Sequence, residues 1–93
     1  MVVGLLTLDL HLPQARSLKD KRRALRSLEG RLRSRFNVAV AEVGDLGLWQ
    51  RAQLAVASVN SDEGHLRSTL DGVRGEAERS AEIQVLSAEA ELL

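Results

Sequence analysis

Eight of the thirteen lysines and arginines fall within twenty residues, SLKDKRRALRSLEGRLRSRF, Ser17 to Phe36. Cations at that density suit phosphates, and the planar guanidinium fork meets phosphate oxygens two at a time. The same charges also suit plain solvation of a helix, or pairing with acids elsewhere in the chain. Other groups able to do chemistry are sparse. Asp9 and His11 stand at i, i+2, enough for a hydrogen-bonded pair or half a metal site. No third ligand lies nearby in sequence, so no metal is expected. There is no cysteine, hence no disulfide, thiolate ligand or thiol nucleophile. No glycine loop has phosphate-cradling spacing, and no serine motif has an assigned base. The residue types point to binding rather than catalysis, and no cofactor is expected.

These groups must be positioned by elements that the periodicities reveal. From Leu6 to Leu12 every second residue is leucine, with Thr7, Asp9 and His11 between them, the period of a half-buried strand that Pro13 ends. Ser17, three residues before Asp20, has capping-box-like spacing and opens a helix. At 100° per residue, Leu18, Leu25, Leu28, Leu32 and Phe36 fall within about an 80° arc. NVAVAEV and AQLAVASV, separated around GDLG (Gly44–Gly47), read as a hairpin. Asn60 and Glu63 bracket a second helix start, with Asp62 favourably near its positive end. Leu66, Leu70, Val73 and Ala77 form its apolar stripe, weakened at Gly72 and Gly75 by about 1 kcal/mol each relative to alanine. AEIQVLSAEAEL is a final strand whose alternation breaks near Leu86, where a bulge is expected.

Strand, helix, strand, strand, helix, strand predicts an α+β, ferredoxin-like βαββαβ sandwich. Both helices lie on one face of a four-stranded antiparallel sheet, with the first and third strands central. Ninety-three residues suit one domain, 1–93, and a 44% hydrophobic content supplies its core. No apolar run approaches the ~18 residues needed to span a bilayer, so no membrane partner is expected. The opening MVVGLLTLDLHLP, with Asp9 and His11, does not read as a signal peptide, and a cytoplasmic location is expected. The zero net charge conceals a division. Residues 1–36 carry nine cations and three acids, while residues 37–93 carry four and ten. Either a polyanion partner or internal neutralisation accounts for it.

SLKDKR at 17–22, FNVAVAEVG at 36–44 and LWQR at 48–51 resemble the YlxP-like family of small bacterial proteins, a domain of unknown function. The resemblance covers essentially the whole chain. It implies a ferredoxin-like fold and, by association of neighbouring genes, a setting around translation and RNA. It carries no catalytic role.

On the first helix, Lys19, Arg22, Arg23, Arg26 and Arg33 occupy about a 100° arc beside the apolar stripe, with Arg31 and Arg35 on the opposite flank. Ser27, Gly30 and Ser34 form a small outward pole, a low saddle that a phosphate backbone or another helix could approach. RNA or a ribonucleoprotein surface is the leading expected partner. An RNA-recognition motif shares the topology but stacks bases on aromatics of its central strands, and none stands here. Trp49 is assigned first as a hairpin anchor on the core and second as an exposed contact beside Gln50 and Arg51. Acylphosphatases share the fold and use an arginine and an asparagine. Arg16 and Asn37 would be the counterparts, but the loop PQARS lacks a phosphate-cradling glycine. Val3 and Leu5 add apolar residues to the sheet face away from the helices, predicting a patch of roughly several hundred Å². Val3, Leu5 and Trp49 are therefore the candidate interface of a homo-oligomer, the alternative to RNA binding.

Overall fold

A computed structural model describes residues 1–93, in the order β1 (Val2–His11), α1 (Leu18–Arg35), β2 (Ala39–Gly44), β3 (Arg51–Asn60), α2 (Glu63–Glu78) and β4 (Gln84–Leu92). The sheet runs β2-β3-β1-β4 with every neighbour antiparallel, so β1 and β3 are central as the periodicities require. The leucine alternation of β1 sends Leu6, Leu8 and Leu10 into the core. Leu54 and Val56 join them from β3, Leu25, Leu28 and Leu32 from α1, and Leu70 and Val73 from α2, in one cluster of 17 buried residues. Each such side chain contributes about 1.5–3 kcal/mol by leaving water, which is what holds both helices on one face.

Local signals set the boundaries. Ser17 Oγ accepts from the Asp20 N–H at 3.0 Å, while the Asp20 carboxylate accepts from the Arg16 N–H at 3.0 Å. At α2 the capping residue is Asp62, not Asn60. The Asp62 carboxylate accepts from the His65 N–H at 3.0 Å, while Asn60 Oδ1 accepts from the Asp62 N–H at 2.9 Å. Asn60 thus closes the turn into the helix and Asp62 satisfies the helix's own free donors. The bulge expected near Leu86 is present: Asp9 pairs with Ser87 and Leu10 with Val85, leaving Leu86 unopposed. A second bulge leaves Val43 unopposed between Glu42, which faces Leu54, and Gly44, which faces Gln53. Phe36 lies just outside α1 in extended backbone and is half-buried against Gly72 of α2.

Candidate functional site

Lys21 aside, the cations of α1 separate into three groups by what they touch. Arg31 and Arg35 point at α2 and meet the buried Glu76. Arg31 Nε lies 3.4 Å from its carboxylate and Arg35 donates a short hydrogen bond to it, with Arg79 at 3.7 Å. Apart from Lys21, which meets Glu42, internal neutralisation of α1 is confined to this flank: Asp71 has no ion pair, and Glu78 pairs within α2 with Arg74. Arg33 is exposed, and its Nη2 donates to the Val40 carbonyl of β2 at 3.0 Å. Lys19, Arg22, Arg23 and Arg26 are exposed and have neither an acid within ion-pair distance nor a side-chain hydrogen bond. Their spacing of i, i+3, i+4, i+7 makes one exposed stripe about 10 Å long on the flank of α1 beside its buried face. Ser27, Gly30 and Ser34 are exposed beside it, so the low saddle is present. Glu29, half-buried on the β2 side of α1, has its carboxyl pushed above the usual value by burial. Arg33 opposes this, Glu42 adds to it and Arg26 opposes it.

Lys21 behaves differently from its neighbours. Its side chain is 1% exposed. The ammonium donates to the carbonyls of Asp45 at 2.9 Å, Leu46 at 3.3 Å and Arg51 at 3.3 Å. Glu42 Oε2 stands 2.9 Å away, yet the three N–H bonds are spent on carbonyls, so this buried oxygen receives charge attraction without a directed hydrogen bond. The junction gathers all three stretches quoted above: Lys21 from SLKDKR, Glu42 from FNVAVAEVG, and Arg51 from LWQR. In the sequence Lys21 is easily lost among the arginines around it. The signal was available, since at 100° steps Lys21 falls inside the arc of Leu18, Leu25, Leu28 and Leu32. A cation there must find buried partners or unfold the stripe.

Loop 45–50 is held at this junction. Asp45 is the one non-glycine residue with positive φ, 59°, a conformation aspartate tolerates better than most residues. The Leu48 N–H closes a turn on the Asp45 carbonyl at 3.0 Å. At the far end Gln50 Nε2 donates to the Pro13 and Ala15 carbonyls, each at 3.2 Å. Trp49 does not anchor the hairpin on the core. It is 54% exposed, because these polar anchors turn the loop's side chains outward.

The remaining candidates fall apart or are otherwise engaged. Arg16 precedes α1 and Asn37 follows it, so eighteen helical residues, about 27 Å of axis, separate the two. They do not form one site. The Asp9 carboxylate accepts from Gln53 at 3.3 Å and Ser87 at 3.0 Å, while His11 Nδ1 lies 3.1 Å from Gln84 Oε1. Val3 and Leu5 are half-buried on the sheet face away from the helices, opposite Val59 and Ala57 of β3. No helix is long and apolar enough to cross a membrane.

A family profile described as "Protein of unknown function (DUF503)" matches residues 3–90. The "Uncharacterized protein YlxP" of Bacillus subtilis (strain 168) is 33% identical over 60 residues, which are 64% of this chain; the match spans 65% of that relative's length. Among solved structures, a C-terminal segment of the alpha subunit of aIF2 from Pyrococcus abyssi aligns with a TM-score of 0.54 at 16% identity. That alignment covers 98% of this chain and 49% of the other, about half its length. The de novo designed protein Foldit4 aligns with a TM-score of 0.51 at 12% identity, covering 100% of this chain and 94% of the other. At these identities the structural likeness shows the fold alone. The match across residues 3–90 makes this chain a member of the DUF503, YlxP-like family.

Proposed function

We propose that this is a non-enzymatic, cytosolic binding protein whose first helix contacts RNA or a ribonucleoprotein surface. One observation carries the reading: Lys19, Arg22, Arg23 and Arg26 form an exposed stripe with no ion pair or side-chain hydrogen bond, although ten acids lie elsewhere in residues 37–93. Arg31 and Arg35, only a turn further along the same helix, are neutralised by Glu76. Four cations left over on one exposed face have the spacing to follow a phosphate backbone.

Fluorescence polarisation with labelled ribosomal RNA across a salt series tests this. The double variant Arg22→Gln, Arg26→Gln is expected to bind more weakly and to flatten the log–log salt slope by about 1.4–1.8, from 0.7–0.9 for each lost contact. Its thermal unfolding should lie close to wild type, since neither guanidinium makes an ion pair or hydrogen bond and Arg26 reaches Glu29 only at longer range. Failure of wild type to bind RNA at low salt overturns the reading.

A second reading is favoured by the open sheet face. Val3, Leu5, Ala39, Ala55, Ala57 and Val59 come together there from three adjacent strands in register. An apolar patch of this kind suits a second copy of the chain. Leu5→Glu is then expected to shift sedimentation toward monomer with circular dichroism unchanged. A wild-type monomer at concentrations of tens of micromolar removes this reading.

A further inference from the structure

Trp49 is the sequence's only tryptophan, and Leu46 and Leu48 beside it are also exposed. Apolar side chains in a six-residue loop normally turn inward. Here the backbone is fixed in the opposite sense by polar anchors that spare the side chains. Lys21 binds the Asp45 and Leu46 carbonyls, Gln50 binds Pro13 and Ala15, and the Leu12 N–H donates to the Gln50 carbonyl at 2.9 Å. A loop held this way presents its apolar groups already ordered, which removes much of the entropic cost of binding.

The surroundings of Trp49 identify what it would bind. Gln50, its neighbour in sequence, is bonded to the carbonyl of Ala15, the residue before Arg16. Lys21, which grips Leu46, sits in the chain between Lys19 and Arg22. These bonds bring the loop to the N-terminal end of α1, the end at which the cationic stripe begins, with Lys21 itself on the buried face. Arg16, Lys19, Arg22 and the adjoining Arg51 make no ion pair. Of the nearby acids, Asp20 is turned onto the Arg16 N–H and Glu42 faces Lys21, leaving Asp45 exposed. An apolar protein partner has no use for a rim of unpaired cations, whereas a polyanion carrying flat apolar groups does.

We infer that Trp49 is a stacking platform for an unpaired base of a single-stranded nucleic acid whose phosphates continue onto the cations of α1. The inference rests on the phosphate-binding reading of that helix. An indole face accepts any base that is free to leave its neighbours, and the bases of a duplex are not. The site therefore distinguishes strands from duplexes rather than one sequence from another.

The test uses the intact protein with a labelled RNA strand of about twelve nucleotides, its duplex and the matched DNA strand. Polarisation reports binding, and emission from the single tryptophan reports stacking. The single strand should quench Trp49 and bind more tightly than the duplex. Trp49→Leu should weaken single-strand binding on the order of tenfold, leaving duplex binding and thermal unfolding as in wild type, and Trp49→Phe should restore part of the loss. Quenching by the RNA or the DNA strand supports the inference and tells which sugar the site accepts. Single-strand binding that is equal in wild type and Trp49→Leu, without quenching, overturns the stacking site and leaves the helix reading standing. Absence of binding by any strand at low salt overturns both. A blue shift of Trp49 emission with protein concentration alone would show a second copy covering the loop, and also overturns it.

Discussion

Lys21→Met is expected to lower the melting temperature by roughly 15–30 °C, the equivalent of about 3–5 kcal/mol in a domain of this size. Methionine retains the apolar stem and the helical fit of the residue, so the loss falls on the ammonium. Without it the carboxylate of Glu42, whose Oε2 already lacks a hydrogen-bond donor, is left as an uncompensated half-buried charge. The carbonyls of Asp45, Leu46 and Arg51 lose their shared donor at the same time. Adding Glu42→Gln should recover part of the stability, since it removes the stranded charge, and the recovery measures the coupling between the two residues. Thermal unfolding followed by circular dichroism reads both variants. If Lys21→Met melts within a few degrees of wild type, the junction is not what closes this end of the sheet.

Two helical glycines should respond in opposite directions to the same substitution. Gly30→Ala is expected to stabilise by about 1 kcal/mol, because a methyl group there meets no atom within 4 Å and only the helix propensity changes. Gly72→Ala is expected to destabilise by about 1–2 kcal/mol despite the same propensity gain. Its Cβ would stand 2.6 Å from Cε1 and 3.0 Å from Cζ of the Phe36 ring. The ring must move away from α2, giving up the packing that closes the end of α1. Urea unfolding of the two variants should separate them by about 2–3 kcal/mol. Equal stabilisation of both would mean that the ring is free to move aside.

That contrast shows where reading the sequence succeeds and where it stops. The leucines of β1 and the stripes of the two helices are periodic, and periodicity survives folding because burial is what produces it. The break at Leu86 was legible for the same reason. Gly72 was legible only as a weak point in a helix, since its partner Phe36 lies far away in sequence. At the start of α2 the spacing of Asn60 and Glu63 imitates a cap, because Asn60 and Asp62 both accept local backbone bonds, and only geometry tells the turn from the helix start. Within the site, the cationic stripe and its two flanks are visible in the residue types and the helical period, but the partners of Arg31, Arg33, Arg35 and Lys21 are not. The helical period sets Arg22 and Arg31 on opposite flanks, but that Glu76 neutralises the second flank and nothing neutralises the first depends on contacts distant in sequence. Trp49 was expected in the core because large aromatics normally gain by burial. The carbonyl bonds of Lys21 and Gln50 that overrule this preference join residues up to 37 positions apart and leave no local pattern.

The bond from Arg33 to the Val40 carbonyl bears on how copies of this chain would meet. β2 and β4 are the outer strands of the sheet, and an outer strand is a template on which a neighbouring chain can grow. Arg33 occupies a backbone acceptor of β2 from the side, and the two bulges interrupt the flat ladder that a growing fibril needs. β4 carries Glu89 and Glu91, which would confront their own counterparts if two β4 strands paired side by side. These features disfavour edge-to-edge growth of the sheet. Any ordered dimer it forms is expected to stack sheet on sheet, a closed arrangement that stops at two.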